Sequence, residues 1–168
     1  IHPDKDMDGL TTVNAGRLFS GKDGLFGGTP RAVMAILKHY GISVEGKHAV
    51  IIGRSNVIGK PVAMMLMQKN ATVTICHSRT KNLSEITQQA DILVTAVGKA
   101  GCVTADMVKP GAIVLDVGIN RIHGKTVGDV DYENVLPVAG AVTPVPGGVG
   151  SVTTTMIIDS IVKAGEHA

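Results

Sequence analysis

Gly53-Arg54-Ser55-Asn56-Val57-Ile58-Gly59-Lys60-Pro61 lies between an apolar run, His48 to Ile52, and an apolar-periodic segment, Val62 to Met67. The order is strand, glycine loop, helix. Glycines let a backbone approach a bound phosphate closely, and the helix start behind them offers unpaired N–H groups at the positive end of its dipole. A Walker A loop has four residues between its glycines and a hydroxyl residue after its lysine. Here five residues separate Gly53 from Gly59 and Pro61 follows Lys60, which excludes that loop type. The dinucleotide fingerprint G-x-G-x-x-G is not met literally either, because Ser55 holds the second glycine position and the last glycine comes late. Spacing alone leaves two readings, a dinucleotide-binding loop and a structural turn.

Outward from this loop the chain alternates: strand 48–52, helix 60–69, strand 71–76, a short helix around 83–89, strand 91–97, a short helical piece around 104–108 and strand 112–117. The strand segments are near-continuously apolar, as parallel strands covered on both faces are. This βαβα order predicts an α/β fold with a Rossmann-type, doubly wound parallel sheet. Upstream, Thr29 reads as an N-cap, Pro30 as a first-turn proline and Gly41 as a C′ residue, which predicts a helix over 30–40. Downstream, the polar stretch Arg121 to Asp131 reads as a hairpin or arm. Gly147-Gly148-Val149-Gly150 then leads into a final helix over about 151–164, capped by Ser151 or Thr153. These glycines fit either an anion-binding helix start or a tight turn beside a ligand. Residues 1–28 carry turn chemistry but little that could form a core, and they read as part of a neighbouring domain.

Composition narrows the function. With 168 residues, 44% hydrophobic and 18% charged, the chain reads as soluble and globular. A net charge of +2 without a basic run, and two Tyr and two Phe as the only aromatics, provide neither a basic stripe nor a stacking platform, so nucleic acid is not an expected partner. No apolar stretch approaches the roughly 20 residues of a spanning helix, and no signal-peptide pattern opens the chain. Membrane partners are not expected and the cytoplasm is the expected location. Cys76 and Cys102 lack metal-ligand spacing and read as reduced core thiols.

The end of the second strand bears on the choice of dinucleotide. NAD-binding folds place a carboxylate about 20 residues past the loop, on the ribose hydroxyls. Here the strand ends Cys76-His77-Ser78-Arg79-Thr80, without an acid. Hydroxyl and guanidinium groups suit a 2′-phosphate, and Arg54 and Ser55 can reach the same place. NADP rather than NAD is the expected cofactor. Arg79 fits this site and equally fits a solvated surface charge, and His77 reads as a packing residue at the strand end. Asp4-Lys5-Asp6-Met7-Asp8-Gly9 imitates the opening of an EF-hand, but Ala15 stands where the twelfth-position Glu belongs, so no metal is expected. One of its carboxylates could accept hydrogen bonds from a heterocycle, or the segment could be a solvated turn. No catalytic triad, metal set or activated cysteine is legible from spacing.

Pro3-Asp4-Lys5-Asp6-Met7-Asp8-Gly9, Gly53-Arg54-Ser55 with Gly59 and Pro61, Cys76-His77-Ser78 with Thr80, Asp116-Val117-Gly118-Ile119-Asn120, Gly128-Asp129-Val130 and Thr143-Pro144-Val145-Pro146-Gly147-Gly148-Val149-Gly150 occur here in one order. Together they resemble the bifunctional methylenetetrahydrofolate dehydrogenase/methenyltetrahydrofolate cyclohydrolases, over essentially the whole chain. The resemblance implies that Gly53, Arg54 and Ser55 bind the phosphates of NADP, that Ser78 helps bind its 2′-phosphate, that Ile119 contacts the nicotinamide side, and that Thr153 joins these cofactor-binding residues. It implies that Asp8 anchors the pterin of a tetrahydrofolate substrate. It also implies a homodimer, with the 121–131 arm as a candidate interface. The family's catalytic lysine sits in a Tyr-x-x-x-Lys motif that does not occur in this sequence, so no catalytic residue is assigned. On the same basis residues 1–28 are expected to be a remnant of the folate-binding domain, 29–150 the NADP domain, and 151–168 a helix packing back on the folate domain. The apolar faces of helix 30–40 and of the final helix, with Val152, Met156, Ile157, Ile161 and Val162, are then expected to be unusually exposed. Three positions depart from the family pattern: Gly28 stands in place of the usual Cys before Thr-Pro, Ala32 in place of a glycine, and Ser151-Val152 in place of Pro-Met. A stand-alone nucleotide-binding module and a shikimate-type NADP dehydrogenase are the alternatives.

Overall fold

β-Branched side chains are stiff at χ1 and pack well on a pleated surface, and three of the four Ile/Val-rich runs become the central strands of a parallel sheet. The fourth, residues 72–76, is its edge and, contrary to expectation, is not covered on both faces. The computed structural model describes residues 1–166. Strands β1 (His48–Ile52), β2 (Thr72–Cys76), β3 (Ile92–Thr95), β4 (Ile113–Asp116) and β7 (Ala141–Val142) form one sheet in the order β2-β1-β3-β4-β7. All its pairings are parallel, with Ile52 opposite both Cys76 and Thr95, and Thr95 opposite Asp116. Helices α2 (Gly28–His39), α3 (Gly59–Met67), α4 (Leu83–Thr87), α5 (Tyr132–Val135) and α6 (Val149–Glu166) surround it, and β5 (Asn120–Ile122) and β6 (Lys125–Val127) make a separate antiparallel hairpin.

Side chains alternate across the sheet as the period of two requires. Ala49, Ile51, Val94 and Leu115 share a core with Val33 and Leu37 of α2, Val62 and Leu66 of α3, and Val149 of α6. Val50, Ile52, Leu93 and Val114 share the other with Val103, Met107, Val130 and Val135. Burial on both faces is why these strands read as continuous apolar runs.

Several local expectations are corrected. Helix α2 starts at Gly28 with Gly27 as its N-cap and no side-chain cap, so Thr29 lies inside the first turn. Gly28 permits close contact with α6, because a Cβ there would stand 2.7 Å from Ile157 Cγ1. Helix α6 begins at Val149, leaving Ser151 and Thr153 within it rather than capping it. The Thr153 hydroxyl instead donates to the Val149 carbonyl at 3.0 Å. Gly41 does end α2, with φ +65°.

Residues 1–28 contain a helix that turn chemistry concealed, α1 (Thr12–Phe19), capped by the Thr11 hydroxyl accepting from Asn14 N. Asp6 is buried and accepts from Leu10 N, Thr11 N and Asn14 Nδ2 at 3.0, 2.7 and 3.1 Å. The Gln68 amide of the chain after α3 donates to the Leu18 carbonyl, which ties α1 to the sheet domain.

The predicted exposure of the helix faces fails for α2 and holds only in part for α6, where Val152, Met156 and Ile157 are half-buried and only Ile161 and Val162 of the expected face are exposed. Ala32, Val33, Ile36 and Leu37 of α2 are buried, because α6, α3 and the sheet cover that face. On α6 an outer stripe stays open: Ile158, Ile161 and Val162 are 57%, 55% and 55% exposed. Arg31 fastens the inner face by donating to the Met156 carbonyl at 3.0 Å and pairing with Asp159.

Candidate functional site

In a sheet of order β2-β1-β3-β4-β7 the chain runs from β1 to β2 on one side and then crosses back over β1 to β3 on the other. A crevice therefore opens over the carboxyl ends of β1 and β3, the place where such sheets bind ligands. The loop from Gly53 to Ile58 forms its floor. Gly53 has φ +129°, and a Cβ on it would stand 2.7 Å from the Ala96 carbonyl oxygen of the loop after β3. A Cβ on Gly59 would collide with the Gly53 carbonyl. Both glycines, themselves buried, thus hold the helix start tightly against the strand ends.

Ser55 closes this loop on itself. Its hydroxyl oxygen accepts from Ile58 N at 3.0 Å and Gly59 N at 3.3 Å, and its carbonyl accepts from Lys60 N at 3.0 Å. Accepting twice leaves the hydroxyl proton free to donate to an anionic oxygen. Arg54 beside it is exposed and has no ion-pair partner among the described residues.

The neighbouring rim is built by β2. Gly53 N donates to the Cys76 carbonyl at 2.9 Å, which sets the two loops side by side. Beyond Cys76 the His77–Thr80 turn is pinned by His77 N donating to Thr80 Oγ1 at 2.9 Å and Thr80 N to the His77 carbonyl at 2.8 Å. The turn presents Ser78 and Arg79, both exposed. No Asp or Glu occurs in residues 53–60 or 76–81. A guanidinium, two hydroxyls and a helix start, with no carboxylate among them, fit a phosphorylated dinucleotide.

Arg54, Ser55 and Ser78 are therefore brought to one rim. Ile119, 68% exposed, follows β4 at the same edge of the sheet, on the other flank of the crevice. Thr153 lies one turn into α6, its hydroxyl 3.4 Å from that of Thr29. Asp8 is exposed, and its carbonyl and that of Val57 both line the space beside Gly27, so the Asp8 turn borders the nucleotide loop. Of the three carboxylates in the EF-hand-like segment, Asp6 is the one turned inward to organise α1.

Two functional candidates escaped sequence reasoning, the buried carboxylates Asp116 and Asp129. Asp116 accepts from Gly118 N, Asp129 N and Val130 N, at 2.9, 3.0 and 2.9 Å. Asp129 in turn accepts from the loop after β3, through Val97 N at 2.7 Å and Lys99 N at 2.8 Å. Burial raises the Asp116 carboxyl above its ordinary range even though these amides oppose it. The neighbouring glycines were the available signal: a Cβ on Gly118 would collide with the Asp129 carboxylate, and one on Gly128 with that of Asp116. Cys76 and Cys102 are free thiols, each pushed up by burial and so held in the unreactive protonated form.

A concavity of about 870 Å³ lies elsewhere, between α2 and the β4–β7 edge. Ile36, Tyr40, Ile113, Val142 and Val152 line it, and without Lys or Arg it does not suit a phosphate.

Fold and crevice define a Rossmann-type dinucleotide-binding domain. Residues 27–168 match the model of the tetrahydrofolate dehydrogenase/cyclohydrolase NAD(P)-binding domain, and the chain belongs to that family. It is 56% identical over 168 residues to the bifunctional protein FolD of Polaromonas sp., covering 99% of this chain and 60% of that protein. The bifunctional FolD methylenetetrahydrofolate dehydrogenase/cyclohydrolase of Campylobacter jejuni superposes with a TM-score of 0.96 at 47% identity, covering 100% of this chain and 61% of that one. The Trypanosoma brucei methylenetetrahydrofolate dehydrogenase-cyclohydrolase, solved with NADP and an inhibitor, gives 0.93 at 36% identity, covering 99% and 60%. The chain thus spans about 60% of the length of the relatives it matches. The family match favours a folate enzyme over a shikimate-type dehydrogenase.

Proposed function

We propose that this chain is the NADP-binding part of a bifunctional methylenetetrahydrofolate dehydrogenase/methenyltetrahydrofolate cyclohydrolase. The observation that carries the cofactor choice is the acid-free rim over β1 and β2, where Arg54, Ser55 and Ser78 converge. Gly53 and the Ser55-capped helix start hold the pyrophosphate, Arg54 and Ser78 take the 2′-phosphate, and Ile119 and Thr153 border the nicotinamide. Asp8, in the turn beside Val57, anchors the pterin. Bound NADP would supply the hydride acceptor for oxidation of 5,10-methylenetetrahydrofolate. The chain's own residues bind and orient it, while the lysine needed for hydrolysis of the methenyl product to 10-formyltetrahydrofolate is carried by another segment.

In this reading residues 1–28 belong to the folate-binding domain, 29–150 to the NADP domain, and the helix of 151–168 packs back on the former through its open stripe. The protein pairs as a homodimer through the β5–β6 hairpin, where Ile122 is 44% exposed. Two free cysteines suit the reducing cytoplasm.

Calorimetric titration of the chain with NADP and NAD tests the cofactor reading. NADP is expected to bind at least about tenfold more tightly, the scale of one charge-assisted contact, and equal affinities would overturn it. Negligible NADPH formation from methylenetetrahydrofolate by this chain alone is expected, and rapid turnover would overturn the placement of the lysine.

A further inference from the structure

The Asp116–Asp129 pair has no cation in contact with it among the described residues, which is unusual for buried carboxylates. Its negative charge is met by N–H groups and a hydroxyl. Asp129 Oδ2 accepts from Val97 N, Gly98 N and Thr95 Oγ1 at 2.7, 3.1 and 3.3 Å, and Oδ1 from Lys99 N and Asn120 Nδ2 at 2.8 and 3.0 Å. Asp116 clamps the backbone on either side of this carboxylate through Asp129 N and Val130 N, and its own N–H donates to Thr143 Oγ1 at 2.8 Å. The loop after β3, the loop after β4, the hairpin and the strand-end Thr143 are thereby locked together.

These segments form the flank of the crevice opposite β2. Three consecutive amides at the end of β3 could have made an anion site of the kind strand ends offer, but Asp129 takes all three. The β1 flank, with Arg54 and the Ser55-capped helix start, suits phosphate, whereas the β3–β4 flank is withdrawn from it.

Resting on the NADP reading above, the geometry points to Asp129, braced by Asp116, as a positioning residue for the nicotinamide end of the dinucleotide. It holds the Val97–Lys99 loop and the Ile119 segment in place. By occupying their amides it also directs the phosphates to the β1–β2 rim. Neither carboxylate touches the ligand.

The test compares NADP with adenosine 2′,5′-bisphosphate, which carries the adenine end and 2′-phosphate but no nicotinamide, by calorimetry on this chain. An Asp129→Asn variant turns an amide NH₂ toward N–H donors and disturbs the loop. It is expected to weaken NADP about tenfold, to leave the bisphosphate within about twofold, and to diminish the fluorescence change of NADPH on binding. Asn120→Ala removes one donor to Asp129, together with its bond to the Gly128 carbonyl, and leaves the carboxylate accepting from Thr95, Val97, Gly98 and Lys99. About threefold weaker NADP binding with the same selectivity is expected there, and this variant decides the matter if Asp129→Asn does not fold. Equal losses on both ligands, or unchanged NADP affinity in folded Asn120→Ala, would overturn the positioning role. Failure of the unmodified chain to bind either ligand would overturn the NADP reading itself.

Discussion

On the β2 side of the crevice the groups offered to a ligand, Arg54, Ser55 and Ser78, are exposed and sit within three residues of a strand end. On the β4 side the organising groups, Asp116 and Asp129, are 3% and 0% exposed and bond to partners as far apart in the chain as Val97 and Asp129. The first flank is assembled locally from solvent-facing side chains, so it can be altered without disturbing the sheet. The second is a saturated buried network in which every donor depends on an acceptor elsewhere, so function and stability are coupled there.

Removing an acceptor from the buried flank should have the largest effect. Asp116→Ala orphans three buried N–H groups and is expected to lower unfolding free energy by about 3–5 kcal/mol. Urea denaturation checks this, and a loss below about 1 kcal/mol would mean that water replaces the carboxylate.

Acid should separate a second pair of regions by about 2 kcal/mol. Burial pushes the Asp6 carboxyl up, but the Thr11 and Leu10 amides, the Thr11 hydroxyl and the Asn14 amide outweigh it and hold it at about 2. A folded value below the unfolded one, about 3.9, means that this stabilisation is complete above that pH and is lost as pH falls toward 2. Asp116, raised by burial, has the opposite sign: its contribution is present at low pH and is lost as pH rises through its folded value. Stability of the chain and of Asp6→Asn between pH 2 and 5 should differ in slope. Parallel curves would remove Asp6 from the account.

Apart from Ser55, whose hydroxyl also holds the loop through Ile58 N and Gly59 N, the exposed flank should show affinity effects without stability effects. Arg54→Ala is expected to weaken NADP about tenfold, leave NAD unchanged and keep unfolding free energy within about 0.5 kcal/mol. A similar loss for NAD would place Arg54 on the pyrophosphate. Arg79→Ala should have the smallest effect, less than about threefold on NADP, the size of a solvent-screened charge. A tenfold loss would bring Arg79 into the contact set.

The alternating strands and the Gly53–Gly59 loop were legible because each depends on local rules, periodicity for the strands and backbone freedom for the glycines. The ends of α2 and α6 were misplaced because contact between the helices, through Gly28 and Ile157, overrode the N-cap preferences of Thr29, Ser151 and Thr153. Helix α1 was missed because Asp8-Gly9 and Asn14-Ala15-Gly16 read as turns. Only the fold shows Asn14 bonded to the buried Asp6. The two-residue β7 and four-residue α5 exist through pairing with β4 and burial of Val135, neither of which leaves a periodic pattern.

By itself the sequence determined the α/β class, the crevice loop and the acid-free character of its rim, since these follow from residue types at short spacing. Tertiary structure alone decided which aspartates turn inward, that α2 is covered while α6 keeps an open stripe, and that Gly118 and Gly128 make room for each other's neighbouring carboxylates. A hydrogen bond across dozens of residues leaves no local trace, because only the closed sheet brings its donor and acceptor together.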